Sequence, residues 1–469
     1  MQYSPRLDNL SQENKMKTIF ITSFHGLMSR VFTSGLIDKL LTNDSIRIVL
    51  FVPDFKKSYY KEIFNHPRII IEGIRYDKYP KYSLTMRAFS FLLLRSRTMR
   101  IKMFEQSEKK NKGVEFFVYN LISFIGGYSM VRSFFRFLNY VIHDTGFFRE
   151  YFEKYNPDLV FAADLKHIFD TTMTIEAKKR DIHSIGMIRS WDNLTAKGIL
   201  RVLPDALIVH NGVLKKEAIY WNNVPEKEIF VSGIQHYDIY TNVKRKNRDE
   251  VCRDLGIDKN NKIIFYAPTG NHYSDTDWQV VRMLDEAITK KELRDDISFI
   301  VHLPPSDNVN WHNFNFSKRF VVVQPGKFFS GMDIKDNEMT HENCINLANF
   351  IYWSDVVIAG PSTIIIDATA FDKPTVVVGF DGQEKYPYSK SVKRYFDYNH
   401  LRNIVDMGGV SLVSNKEHFI GAINKYLNNS SLDTDGRRQI RNAQCGELNG
   451  MSSSKTAGFL LHYLDEEKN

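Results

Sequence analysis

The sequence predicts an α/β protein built from two Rossmann-like, doubly wound domains that face each other across a cleft, with a helical insertion in the first. Three observations predict it. Short apolar runs alternate with helical patterns along both halves of the chain, the signature of parallel sheets with crossover helices. A length of 469 residues exceeds what one core ordinarily supports. The stretch Gln235 to Arg248 (QHYDIYTNVKRKNR) turns polar and charged between the halves, as an interdomain boundary does. The expected domains are therefore residues 1–240, with the insertion at about 83–155, and residues 241–469.

The first half opens with a strand at Lys17–Thr22 ending in Ser23-Phe24-His25-Gly26, then a helix from Val31 to Leu41. Strands follow at Ile46–Val52 and Arg68–Ile71. From Ser83 to Tyr155 the pattern changes to long helices rich in Phe, Tyr, Leu and Arg, divided by Glu105–Gly113 (EQSEKKNKG), the best candidate for a mobile loop. Read as basic amphipathic helices, these predict peripheral contact with an anionic membrane through Arg87, Arg95, Arg97, Arg100, Lys102, Arg132 and Arg136. The competing reading is core. Alternation resumes with Asp158–Ala162, which ends in Ala163-Asp164, then His183–Ile188, which leads into the loop Arg189–Gly198, then Ala206–His210 and Ile229–Ser232.

The second half has strands at Lys262–Ala267, Ser298–Leu303, Arg319–Val323, Val356–Ala359 and Thr375–Gly379, and ends in helices at Lys416–Leu427, Gly436–Cys445 and Ser453–Leu464.

Composition bounds the function. With 43% hydrophobic and 25% charged residues each half can bury a core. A net charge of +8 permits an anionic partner without choosing one, and no nucleic-acid motif accompanies it. Three distant cysteines, Cys252, Cys344 and Cys445, fit neither a disulfide scaffold nor a cysteine zinc site. No tract reaches the roughly 18 apolar residues of a transmembrane helix, and the polar first fifteen residues show no signal peptide. A cytoplasmic protein is expected, at most peripheral on the inner face of a membrane.

Ligands of doubly wound sheets bind at the carboxyl ends of strands, so polar clusters there carry the functional weight. In the second half these are Thr269-Gly270-Asn271-His272, His302 with Pro304, and Gly360-Pro361-Ser362-Thr363 with Asp367. Proline suits a helix start, hydroxyls cap it, and free N–H groups attract an anion. Asp367 lies one turn beyond Thr363, within reach of a sugar hydroxyl past a bound phosphate; alternatively Ser362 and Thr363 only cap and Asp367 only favours the helix end. In the first half the strand-end groups are His25, Asp164 and the Ser190–Gly198 loop. A transfer to a hydroxyl needs a base, and His25 or Asp164 can serve. No paired-histidine metal motif occurs. The triplets Asp275-Thr276-Asp277 and Asp433-Thr434-Asp435 could grip a divalent ion, but each precedes a predicted helix that acidic residues favour anyway. No metal and no cofactor are expected.

The order of YAPTG, HLPP and SDVVIAGPSTIIIDATAFDKPTVVV in the second half, after SWDNLTAKG, PDALIVHNGVLKKEA and IFVSGIQHYD in the first, resembles GT-B glycosyltransferases of bacterial surface-polysaccharide synthesis, near the CDP-glycerol glycerophosphotransferases. The resemblance runs from about Lys17 to Leu464 apart from the insertion. It implies a metal-independent transferase whose second domain holds a nucleotide-sugar donor and whose first domain holds a glycan acceptor, free or lipid-linked. Donor contacts would be Thr269, Gly270, Asn271, His272, His302, Pro304, Gly360, Pro361, Ser362, Thr363 and Asp367, with Asp367 on the ribose. Acceptor contacts would be Ser23, Gly26, Arg30, Ser190, Trp191, Asp192 and Asn193. Relatives often have His directly before Pro, whereas Leu303 intervenes here, which leaves the donor base open. A glycerophosphotransferase, a non-hydrolysing sugar-nucleotide 2-epimerase and a non-catalytic scaffold remain as alternatives.

Overall fold

A computed structural model of the chain describes residues 16–76, 82–109 and 113–466. The polar leader and residues 110–112 of the expected mobile loop lie outside the described residues. Seven strands form the first sheet: β1 (Lys17–Thr22), β2 (Ile46–Pro53), β3 (Ile69–Ile74), β4 (Leu159–Ala162), β5 (His183–Met187), β6 (Ala206–Val209) and β7 (Ile229–Val231). They are all parallel, in the order β3-β2-β1-β4-β5-β6-β7. The second sheet contains β8 (Lys262–Ala267), β9 (Ile297–His302), β10 (Phe320–Val323), β11 (Val356–Ala359), β12 (Thr375–Val378) and β13 (Ser411–Val413). Its order is β10-β9-β8-β11-β12-β13, again parallel. Strands such as IRIVLFVP and KIIFYA are buried on both faces, which is why they read as unbroken apolar runs.

Each sheet reverses its winding once, between β1 and β4 in the first and between β8 and β11 in the second. Those reversals open the crevices in which such sheets hold ligands. Register sets the loops level: Ile21 pairs with Phe161, and Ala267 with Ala359.

The end of the chain returns to the first sheet. Helix Ser452–Asp465 packs Ala457, Leu460 and Leu464 into the core around Ile19, Ile21 and Ile48, and Phe459 stacks on Phe230 at 4.2 Å. Asp238, from the crossing segment, caps this helix by accepting from Ser452 N at 3.0 Å and Ser453 N at 2.7 Å. The first part of the crossing segment is therefore buried structure, since Gln235, Tyr237 and Asp238 are all buried, whereas most of Thr241–Asn247 is exposed.

The insertion forms five helices, Tyr82–Leu92, Arg97–Lys109, Gly113–Gly126, Ser129–Ile142 and Gly146–Tyr155. Glu105, expected to begin a mobile loop, is helical and bridges the domains: its Oε1 accepts from Arg394 Nε at 3.0 Å and Tyr398 OH at 2.9 Å. The basic residues also depart from expectation. Arg97 pairs with Asp397, Lys102 donates to Ala196 O at 3.0 Å, and Arg132 and Arg136 are buried.

A second interdomain tie is fully buried. Glu338 enters the first domain, where Oε1 accepts from Lys56 Nζ at 2.9 Å and Tyr60 OH at 3.1 Å, and Oε2 from Ser29 Oγ at 2.9 Å. Its side chain and that of Lys56 are 0% and 1% exposed. Removing one member of a buried pair strands the other charge, so Glu338→Ala is expected to lose about 3–5 kcal/mol in denaturant titration. Lys56→Met with Glu338→Leu should recover most of it; a single variant as stable as the parent refutes the tie.

Candidate active site

The first domain contributes a compact set of charges at the β1/β4 crevice. Its acid is Asp164, just beyond β4. Arg189, just beyond β5, donates from Nε to Asp164 Oδ2 at 2.9 Å, and Asp164 N donates to Asp170 Oδ1 at 2.9 Å. Burial opposes ionisation of Asp164, yet the guanidinium beside it, aided by Lys197, holds the carboxyl well below the usual range. Its Oδ1 is buried without a hydrogen-bond partner. The neighbouring Asp170 moves the other way, pushed well up by burial and then by the Asp164 charge.

His25, beyond β1, is half-buried. Burial lowers its pKa to about 3, Arg189 lowers it further and Asp164 opposes both. The ring is therefore neutral near pH 7. Its Nδ1 contacts the Gly26 carbonyl oxygen, which can only accept, so Nδ1 carries the proton and Nε2 the lone pair. A neutral imidazole with a fixed tautomer beside an ionised carboxylate can take a proton from a hydroxyl. Asp164, engaged by Arg189, is suited to stabilising the imidazolium so formed.

The structure sorts the expected acceptor residues. Ser23 is 1% exposed and bonded to Tyr60 OH at 2.7 Å, and Asn193 is 0% exposed with neither side-chain atom partnered. Neither reaches the cleft surface, contrary to expectation, because Ser23 directly follows the buried end of β1 and Asn193 belongs to the buried face of a short helix, Asn193–Ala196. Gly26 closes on the second domain: a Cβ there would lie 2.8 Å from Lys335 O and 3.0 Å from Asn337 O. Ser190, Trp191 and Asp192 are partly exposed. The Trp191 ring lies 4.7 Å from His400 of the second domain. Burial opposes ionisation of Asp192, but Lys197, at 4.0 Å, together with His400, Ser190 and Arg189 outweighs it and the carboxyl stays well below its ordinary value. Arg30 is half-buried, makes no ion pair among the described residues, and its charge acts on His210 and His236 of the first domain and on Asp367 of the second.

Across the cleft, Thr269 and Gly360 are in contact. A Cβ on Gly360 would meet Thr269 Oγ1 at 2.1 Å, so only glycine permits the approach. The Thr269 and Gly270 amides are not free, however: Asp277 accepts them at 3.0 and 2.8 Å and also accepts Tyr266 OH at 2.6 Å. The first acidic triplet thus shapes this loop from within. Asn271 and His272 are exposed, with His272 N donating to Asp307 Oδ2 at 2.8 Å. The adjoining Tyr273 ring lies 5.4 Å from Tyr395, and its hydroxyl pKa is pushed up to about 12 by burial and then by Asp192.

Pro361 and Ser362 are partly exposed and Thr363 is exposed. Ser362 Oγ accepts from Ile364 N at 3.3 Å, while the Ser362 and Thr363 amides donate to no acceptor among the described residues. Two expected donor contacts are placed elsewhere. His302 is 6% exposed between Phe265 and Phe350, and burial lowers its pKa to about 4; as the last residue of β9 it points into the core, while Pro304 after it is partly exposed. Asp367 is likewise 6% exposed and accepts from Tyr240 OH. Burial raises its pKa against the effects of Tyr240 and Arg30. It braces the crossing segment instead of presenting a carboxylate for ribose.

Sequence reasoning did not single out Arg189, Lys197, Tyr273 or His400. The first was findable, since it follows β5 as His25 follows β1. Among the described residues no group of three or more His, Cys, Asp or Glu side chains is arranged to hold a metal ion.

Two parallel doubly wound sheets, each with a crevice at its winding reversal, define a GT-B fold. The chain belongs to the CDP-glycerol:poly(glycerophosphate) glycerophosphotransferase family, whose model matches residues 202–461, more than half of it. No curated protein matches the sequence. Among solved structures it is similar to a putative UDP-N-acetylglucosamine 2-epimerase from Listeria monocytogenes (14% identity, TM-score 0.54, 97% of this chain and 98% of that one). It is also similar to the UDP-GlcNAc 2-epimerase of Neisseria meningitidis (12%, 0.55, 95% and 100%) and to the wall teichoic acid polymerase TagF (13%, 0.50, 96% and 90%). At these identities the likeness shows the fold.

Proposed function

We propose that the chain transfers a sugar from a nucleotide-sugar donor to a hydroxyl of a surface-glycan acceptor presented at a membrane. The observation that carries this reading is the pairing of a neutral, tautomer-fixed His25 with free Ser362 and Thr363 amides at the winding reversals of two facing sheets. His25 Nε2 receives the acceptor proton as the acceptor oxygen attacks the anomeric carbon, and the bond from that carbon to the donor phosphate oxygen breaks. The electron pair leaves with the nucleotide diphosphate. The Ser362 and Thr363 amides and hydroxyls, with Arg30, receive that charge, an electrostatic role, so the reading requires no metal. A nucleotide-sugar donor is supported by the fold neighbours that are UDP-GlcNAc enzymes.

The family match favours a second reading, transfer of glycerol phosphate from CDP-glycerol, in which the acceptor attacks phosphorus and CMP departs. Product analysis with CDP-glycerol against a panel of nucleotide sugars, with and without acceptor and with chelator, separates the two. Interconversion of a sugar nucleotide without acceptor would instead identify an epimerase, and no nucleotide binding at all a scaffold. Ser362→Ala with Thr363→Ala is expected to weaken donor binding by about 10–100-fold, since hydrogen bonds to charged groups are worth roughly 1.5–3 kcal/mol. Unchanged affinity by calorimetry removes both hydroxyls from the donor site.

A further inference from the structure

A cavity of about 370 Å³ opens on the second domain between helix Asp277–Thr289 and the loop that follows β9. That volume is ordinary for a small-molecule site. The helix buries Val281, Leu284 and Ile288 in the core and carries Trp278, Arg282 and Asp285 along its other face, where they line the cavity. His312, Asn313 and Asn315 form the opposite wall, with the His312 ring 5.3 Å from that of Trp278.

This wall is braced from beneath. Trp311 and Phe314 pack on Phe316 at 4.9 and 5.2 Å, and Ser317 Oγ donates to Asp285 Oδ1 at 3.0 Å, which ties the loop to the helix. His312 and Asn313 are consecutive left-handed residues, with φ of 47° and 59°. Histidine and asparagine tolerate that region better than most side chains, yet glycine would hold it at less cost. Strain of this kind collects at ligand sites.

The polar groups left over are of both kinds. Among the described residues the Asn313 and Asn315 side chains make no hydrogen bond, the terminal nitrogens of Arg282 donate to no acceptor, and Asp285 Oδ2 accepts from no donor. Donors and acceptors thus stand together beside an indole. A sugar ring matches that set, with an apolar C–H face for the aromatic ring and hydroxyls that each donate and accept. The charges balance as well: Glu286 accepts from Arg282 Nε at 2.9 Å and Lys416 Nζ at 3.0 Å, so two cations stand against Glu286 and Asp285. Neither a phosphate nor a cation is favoured.

We propose that this cavity is a second saccharide site, which takes a neutral sugar unit of a glycan chain outside the transfer cleft. The choice of a glycan rests on the reading of a glycan acceptor. Both walls are anchored in the cleft rim. Asp277 opens the helix and holds the Thr269 and Gly270 amides, while Asn271 N donates to Asn308 O at 2.9 Å and Asn310 N to Asn271 Oδ1 at 2.9 Å. A glycan seated here has only the Thr269–His272 loop between its bound unit and the cleft, so a longer acceptor gains a second hold.

The test is calorimetry of the full chain with neutral tetrasaccharides of glucose, galactose and N-acetylglucosamine and, as the anionic probe, glycerol phosphate. At least one tetrasaccharide is expected to bind, and Trp278→Ala to weaken it by about tenfold or more. Asn313→Gly keeps the left-handed turn without the amide, so it should weaken binding while the melting temperature holds or rises. Ser362→Ala with Thr363→Ala should leave saccharide binding intact. In turnover, Trp278→Ala should raise KM for an acceptor of several units and leave a single-unit acceptor unaffected. No binding by the parent, equal binding by the parent and both cavity variants, or loss of saccharide binding in the Ser362→Ala, Thr363→Ala variant overturns the proposal. So does a preference for glycerol phosphate that Trp278→Ala removes. Saccharide binding that Trp278→Ala weakens, in a chain that turns over no nucleotide sugar, would uphold the cavity and count against the transferase reading.

Discussion

Acidification from about pH 7 to about pH 5 is expected to lower the melting temperature of the chain. Burial lowers His25 and His210 to about 3, and His143, His167, His302 and His400 to about 4, from an ordinary 6.5; His236 is also pushed well down. For an imidazole whose folded pKa lies below its unfolded one, the unfolded state binds more protons in the window between them. Stability is present above 6.5 and is lost as pH falls toward the folded value. At pH 5 each such group forfeits about 2 kcal/mol. Five carboxyls act in the opposite sense: burial raises Glu217 to about 8, Asp170 well above its usual value, and Asp277, Asp367 and Glu228 above theirs. Each gains stability as pH falls, and Glu217 offsets about one imidazole. Seven imidazoles against five carboxyls leave a net loss on acidification, to be set against the about 5–15 kcal/mol by which a typical domain is stable. Circular dichroism melts at stepped pH check it, and a melting temperature constant down to about pH 4.5 would refute it. His302→Phe, placed among Phe265 and Phe350, should flatten the acid slope.

The strands were legible because parallel strands are buried on both faces and therefore appear as apolar runs. Ser411–Val413 was missed: as a three-residue edge strand in GGVSLVSN it leaves almost no run to see. Strand-end residues could be chosen because the topology of a doubly wound sheet dictates where its crevice falls. What escaped were partnerships made over distance. Glu338 meets Lys56 from 282 positions away, and no local pattern announces that a glutamate enters another domain. Asp367 was assigned correctly to a helix but not to the side that meets Tyr240. The insertion shows the same limit more sharply. Periodicity in Ser129–Ile142 reveals two unlike faces, yet it does not say which one the body covers. Here Arg132, Phe135, Arg136 and Asn139 are buried, the reverse of the expected arrangement, because the adjoining segments offer carbonyls that guanidinium groups satisfy.

Replacing His25 by Ala is expected to lower kcat by about 10²–10⁴ while leaving donor affinity unchanged, the range general-base catalysis supplies. The free-enzyme pKa of about 3 places the acid limb of kcat/KM far below neutrality, so activity should vary little through the pH range in which the protein stays folded. Such a low value makes a weak ground-state base. The driving force must come from stabilising the imidazolium as it forms, and Asp164 is the group whose charge raises His25. Asp164→Asn removes that stabilisation and frees Arg189 to repel the imidazolium. It should therefore reduce kcat too, by less than His25→Ala, with KM for the donor unmoved. In the double variant the two losses should fall short of additive, since without His25 the carboxylate has nothing to stabilise. A different ordering assigns the chemistry differently: if Asp164→Asn abolishes turnover and His25→Ala retains it, the carboxylate takes the proton directly. That outcome would require acceptor binding to displace Arg189, whose Nε now lies 2.9 Å from Asp164 Oδ2, because a carboxylate so paired is too weak a base to deprotonate a hydroxyl.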